Sequence, residues 1–159
     1  MIFETFSKLT GYPNYHEINK QIFIGDYVSS LDNQFLNQNK INVIVNCSKN
    51  LPLNPNNKIN YRVSVKDDFT HASIIIMIKY LINIIPLLNK HLDKKDVILI
   101  HCRCGIQRSA TVLAALLMYR YKISKLDAIK IIKNKRIITF LPGPNFNLAL
   151  DMYEKYITK

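Results

Sequence analysis

The chain has 159 residues, 48% of them hydrophobic, which fits one compact domain with a real core and excludes a disordered polypeptide. Twenty-two Lys and Arg against 11 acids give a formal charge of +11, which favours anionic partners. Three cysteines make no disulfide framework, the pair Cys102 and Cys104 lacks zinc-site spacing, and the stretch 74–88 carries Lys79 and Asn83 and is short for a bilayer span. The opening MIFETFSKLT lacks the apolar core of a secretory leader, so the sequence reads as that of a cytoplasmic protein with no membrane partner.

In chain order, Ile2, Phe3, Phe6 and Leu9 have helical spacing, and Thr10-Gly11-Tyr12-Pro13 ends the run. A helical arm of the single domain 1–159 is thus expected within residues 1–16, packed on its own core or docking a second copy in a homodimer. A strand is expected over 21–24, ending at Gly25-Asp26. A helix is expected over 30–40 with Ser30 as its N-cap, then a β-branched buried strand over 41–45. LPLNPNN, 51–57, reads as a turn, and 59–65 alternates as a strand does. Asp67-Asp68 open a loop into a long helix, 72–92, which Pro86 should kink or break. A strand over 96–100, an apolar helix over 109–121, a helix capped by Ser124 and running to 135, and a last helix opened by Pro144 complete the chain. Strands alternating with helices imply an α/β fold whose central sheet is mostly parallel and flanked by helices, with its site at the carboxyl ends of the strands.

His101-Cys102 stands at such an end. The segment Cys102-Arg103-Cys104-Gly105-Ile106-Gln107-Arg108 joins strand to helix and is the candidate phosphate-binding loop. A loop of this length turns several N–H groups inward, and the helix starting at Ser109 aims its positive end at the same hollow. Gly105 permits a conformation closed to residues with a β-carbon. The Arg108 guanidinium can grip two oxygens at once. Positive charge around Cys102 favours thiolate, so a nucleophile would lie at the floor of an oxyanion clamp that needs neither metal nor cofactor.

HCRCGIQRS resembles the HCxxGxxRS signature of the cysteine-dependent protein phosphatases, most closely the dual-specificity class. INKQIFIGDYVSS is similar to that family's early strand-and-glycine segment, YRVSVKDDF to its general-acid loop, and the short chain resembles the poxvirus-type members. The resemblance implies a protein tyrosine phosphatase-like fold and a cysteinyl-phosphate intermediate, with phosphorylated proteins as substrates. For a viral member the site of action would be host cytoplasm or virion. It makes Cys102 the nucleophile, Arg108 the phosphate and transition-state ligand, and Ser109 the hydroxyl that helps sulfur leave. His101 would hold the loop by hydrogen bonds. Asp68 falls at the general-acid position, with Asp67 the adjacent alternative. Cys104 reads as packing, and Cys47, at another strand end, as a candidate redox partner. RIITFLPGPNF resembles the family's R-x-x-I-x-P-N-x-G-F but places Gly143 where Asn is usual, so the loop must be braced differently here.

Two rivals stand beside this reading. An RNA 5′-triphosphate phosphatase uses a similar loop, and the net charge suits nucleic acid, but such relatives usually carry Thr where Ser109 stands. A phosphate-reading interaction module would normally have lost the Cys or the Arg, and both are intact.

Overall fold

The computed structural model describes residues 5–57 and 59–159, and the side chains from residue 7 onward. Its elements in order are α1 (Thr5–Thr10), β1 (Tyr15–Asn19), β2 (Ile22–Gly25), α2 (Tyr27–Leu31), α3 (Asn33–Gln38), β3 (Val43–Asn46), β4 (Ile59–Arg62), α4 (His71–Asp93), β5 (Ile98–His101), α5 (Arg108–Tyr121), α6 (Lys125–Lys135) and α7 (Asn147–Ile157). The sheet runs β1-β2-β5-β3-β4. Among the described residues, only the β1–β2 pair is antiparallel; β5 lies between β2 and β3 and is parallel to both. The expected mostly parallel sheet is thus present, with an antiparallel edge.

Strand periodicity divides the core in two, because successive side chains leave a strand on opposite faces. Ile22, Ile24, Val43, Val45, Ile98 and Ile100 face α4, α5, α6 and α7 in the larger cluster. Phe23, Ile44 and Leu99 face Phe35 and Leu36 of α3 in the smaller one. The 23-residue α4 is apolar and long enough to cross a membrane, yet its stripe of Met77, Leu81, Ile85, Leu88 and Leu92 is buried in the domain's own core.

Three expectations need correction. β1 has no counterpart in the sequence reading: it is an edge strand whose sequence, YHEIN, buries only Ile18, so it carries no apolar alternation. The single helix expected over 30–40 is two short ones. Asp26 caps α2 by accepting from the Ser29 amide at 3.0 Å, and Asp32 caps α3 by accepting from the Phe35 amide at 3.0 Å. Ser30 is therefore no cap; it is buried within α2, and its hydroxyl donates to the Tyr27 carbonyl. Pro86 does not break α4, which continues through it. Of the N-terminal arm, Ile2, Phe3 and the Phe6 side chain lie outside the described residues. Ser7 donates to Asp26 at 2.8 Å, which ties α1 to the start of α2.

Candidate active site

β5 delivers His101 and then Cys102 to the carboxyl edge of the sheet, between the ends of β2 and β3. The chain then turns through residues 102–107 and enters α5 at Arg108. Gln107, the N-cap, makes no side-chain cap, so the first amides of α5 stay available to the hollow above Cys102. Ten residues of α5, from Ser109 to Met118, are buried, and this fixes the helix axis behind the loop.

Gly105 makes the turn possible. Its φ is +67°, and a β-carbon there would meet the Gly25 carbonyl oxygen at 2.6 Å, so backbone twist and space both require glycine. The Tyr27 amide donates to the Arg103 carbonyl at 3.2 Å, which ties the loop to β2 and α2 on that side.

Cys102 is a free, buried cysteine whose Sγ lies 3.2 Å from the Ser109 hydroxyl. Burial alone would push its thiol up. The Arg108 guanidinium, the Ser109 hydroxyl and the amides of Ser109 and Ile106 together outweigh that, and the thiol lies below its ordinary value. Arg108 donates through Nη1 to the Val65 carbonyl at 3.2 Å, while its buried Nε has no partner among the described residues. An unsatisfied buried donor on a cation is costly unless an anion takes it.

His101 is buried behind the loop and its Nδ1–H donates to the Cys102 carbonyl at 3.3 Å, so Nδ1 carries the proton. Burial brings its pKa down to about 4, so the ring is neutral at pH 7 and serves as a brace. Cys47 is also free and buried; burial, then the Cys102 charge, push its thiol well above the ordinary value, so it stays protonated. Burial likewise raises Cys104.

One cleft of about 530 Å³ gathers Cys102, Arg103, Cys104, Ile106, Gln107 and Arg108 with Asp67 and Asp68. Gly105, His101 and Ser109 sit beneath or behind it. The Asp68 Oδ1 accepts from the Ser73 hydroxyl at 2.7 Å, the Thr70 hydroxyl at 2.8 Å and the Thr70 amide at 3.1 Å. The Ser73 and Thr70 bonds hold its carboxyl below the usual value. Asp67 instead accepts from the Asn145 side chain at 2.8 Å. Phe69, next in sequence, is 73% exposed on the rim with φ of +60°.

Two braces were invisible in the sequence. Gln107, expected only to bind phosphate through the loop, uses its side chain to donate to the carbonyls of Leu141 at 3.0 Å and Gly143 at 2.8 Å, and accepts from the Asn145 amide at 2.9 Å. Gln107 thereby ties the loop to the segment 141–145. Beneath the loop lies Arg136, 1% exposed. It donates to the carbonyls of Gly105 and Cys104 at 3.0 Å each and of Pro13 at 2.8 Å, and to His16 Nδ1 at 3.0 Å. A basic residue near Lys133 and Lys135 gives no local sign of burial; only the run of carbonyls it meets makes it structural. Arg136→Met leaves those carbonyls unpaired and is expected to lower unfolding free energy in urea melts by about 3 kcal/mol. Wild-type stability in this variant would show that the brace carries no load.

An acidified thiol at the floor, loop amides around it and a guanidinium beside it, at the end of a parallel strand, define the class of cysteine-loop phosphatase folds. The family model for the dual specificity phosphatase catalytic domain matches residues 22–156, and the chain belongs to that family. Human dual specificity protein phosphatase 16 is 30% identical over 139 residues, 86% of this chain and 20% of that protein. The 123R protein of Invertebrate iridescent virus 6 is 33% identical over 78 residues, 49% of this chain and 54% of that protein. The chain thus spans about a fifth of the first and about half of the second. The crystal structure of human DUSP28 shares the fold, with a TM-score of 0.82 at 23% identity, covering 93% of this chain and 97% of that one.

Proposed function

We propose that this domain hydrolyses phosphotyrosine and phosphoserine or phosphothreonine in proteins through a cysteinyl-phosphate intermediate. The observation that carries the reading is the pairing of an acidified Cys102 thiol with an Arg108 whose buried Nε awaits an acceptor. The Cys102 thiolate attacks phosphorus, the P–O bond to the substrate breaks, and a carboxyl of the acid loop, assigned to Asp68 with Asp67 the adjacent alternative, gives its proton to the departing oxygen. Water then attacks the phosphorus of the cysteinyl-phosphate while the same carboxylate takes a proton from it; an O–P bond forms, the S–P bond breaks, and Sγ leaves as thiolate, stabilised by the Ser109 hydroxyl. Charge on the transferring phosphoryl is met by Arg108 and the loop amides, so no step calls on a metal.

The substrate class follows from the rim. Lys49, Lys66 and Arg103 stand around the cleft and suit acidic phosphopeptides, and Phe69 offers an apolar edge to a phosphotyrosine ring. The cytoplasm, where phosphorylated signalling proteins are found, is the proposed place of action.

Phosphotyrosine peptide, phosphothreonine peptide and 5′-triphosphorylated RNA, compared with chelator present, test the assignment. Turnover of both peptides is expected; phosphate release from RNA alone would overturn it in favour of the RNA reading. Asp68→Asn is expected to slow phosphothreonine turnover by roughly 10²- to 10⁴-fold, and p-nitrophenyl phosphate far less, because a good leaving group needs no proton. Full activity of Asp68→Asn on phosphothreonine would remove Asp68 from the acid role.

A further inference from the structure

We propose that His16, on the edge strand β1, acts through Arg136 to hold the Ile106 amide on the Cys102 sulfur, and so is a positioning residue for the nucleophile. The proposal rests on the phosphatase reading above. Its basis is a path of contacts that runs through one peptide group. In a trans peptide the carbonyl and the N–H point opposite ways. Arg136 donates through Nη2 to the Cys104 carbonyl and through Nε to the Gly105 carbonyl, at 3.0 Å each, and the Phe140 amide donates to the Ile106 carbonyl at 2.8 Å. Three successive carbonyls are drawn away from the hollow above Cys102, which turns the amides of Gly105, Ile106 and Gln107 toward it. The Ile106 amide is among the donors that bond the sulfur. It shares a peptide group with the Gly105 carbonyl, so whatever fixes Arg136 Nε also fixes that donor.

Arg136 is itself held from the first turn of the chain. Its hydrogen bonds among the described residues go to four neutral acceptors: the carbonyls of Cys104, Gly105 and Pro13, and the His16 Nδ1 at 3.0 Å. His16 is the one side chain of the four. A guanidinium offers only donors, so Nδ1 carries no proton and Nε2 does. Burial, then the Arg136 charge, hold the ring below its ordinary value, which keeps that lone pair available at neutral pH. Tyr12 packs against both groups, with its ring centre 5.2 Å from the guanidinium carbon and 5.4 Å from the centre of the His16 ring. His16 pairs with Ile24 across the antiparallel edge, so the sheet sets the place of its acceptor. Without that acceptor, Nη1 keeps the Pro13 carbonyl at 2.8 Å. The guanidinium then stays buried but loses one of the two bonds that aim it, and the effect falls on the loop rather than on the fold.

The test uses the whole chain with three substitutions at this half-buried position. His16→Leu and His16→Ala both remove the acceptor, the first filling the space and the second emptying it. The readouts are the rate of alkylation by iodoacetate against pH, followed at Cys102 by peptide mapping, and the affinity for inorganic phosphate by calorimetry. In each variant the Cys102 inflection should move up by about half a pH unit, the scale of one neutral hydrogen bond. Phosphate should bind about two- to fivefold more weakly. His16→Asn places a side-chain oxygen as many bonds from the backbone as Nδ1 and should recover most of both losses. An inflection that stays put in His16→Leu and His16→Ala overturns the proposal, even where urea melts show lost stability, since His16 would then only support the fold. A shift in His16→Ala alone also overturns it, because packing and not the acceptor would be at work. So do equal shifts in His16→Asn and His16→Leu. Alkylation and phosphate binding need no turnover. A moved inflection in variants of a protein that hydrolyses no phosphopeptide would therefore defeat only the phosphatase reading.

Discussion

Cys102→Ser is expected to abolish turnover of both aryl phosphate and phosphopeptide, by roughly 10⁴-fold or more, while the protein still binds phosphopeptide. The loss follows from the proton, not from size. The Cys102 thiol lies below its ordinary value because Arg108, the Ser109 hydroxyl and two amides together outweigh the penalty of burial. A serine hydroxyl starts many units higher, and the same field cannot ionise it at neutral pH. The cradle itself is built from backbone amides and Arg108, so affinity for the phosphoryl group should survive. Product formation followed with p-nitrophenyl phosphate and binding followed by calorimetry check the two halves separately. Retained turnover would place the nucleophile elsewhere.

Replacing Arg108 should separate charge from geometry. Arg108→Lys keeps the cation but loses the planar fork, and is expected to cost roughly 10²- to 10³-fold in kcat, the scale of a lost oxyanion donor. The Cys102 thiol should still titrate below the free-cysteine value of about 8.5. Arg108→Met removes the charge as well. Its thiol should therefore titrate higher, the thiolate being lost at a higher pH as the solution is acidified, and the kcat loss should be larger. The rate of alkylation by iodoacetate against pH reads this directly. An inflection that stays put in Arg108→Met would mean that the loop amides and Ser109 alone ionise the sulfur. Arg108→Met also frees the Val65 carbonyl, so part of its loss on phosphothreonine reflects a looser acid loop.

The strongest parts of this architecture were legible because they are local. The run from Ile98 to Ile100, then His101-Cys102, the glycine and Arg108, set strand, turn and helix within a dozen or so residues, and the structure places them so. The Ser124 cap of α6 is local too: its side chain accepts from the Asp127 amide. β1 failed because an edge strand with one buried residue has no period to detect. The break between α2 and α3 failed because Asp32 closes one helix and caps the next, a role the helical apolar spacing of 30–40 hides. Arg136, Gln107 and Asn145 were missed as braces for a different reason. Their partners are backbone carbonyls, a ring nitrogen, an amide or an exposed carboxylate brought near by the fold, and the motif segments in which they stand do not show what they brace. Asp67 and Asp68, one step apart in sequence, meet different partners, Asn145 for the first and Thr70 and Ser73 for the second.

Gly105 presses its backbone on the end of β2, where a single added methyl would overlap the Gly25 carbonyl. The composition of the chemical loop is thereby dictated by a strand from the first quarter of the chain. Drift at the end of that strand, which holds no reacting atom itself, would be felt as altered chemistry long before it was felt as unfolding.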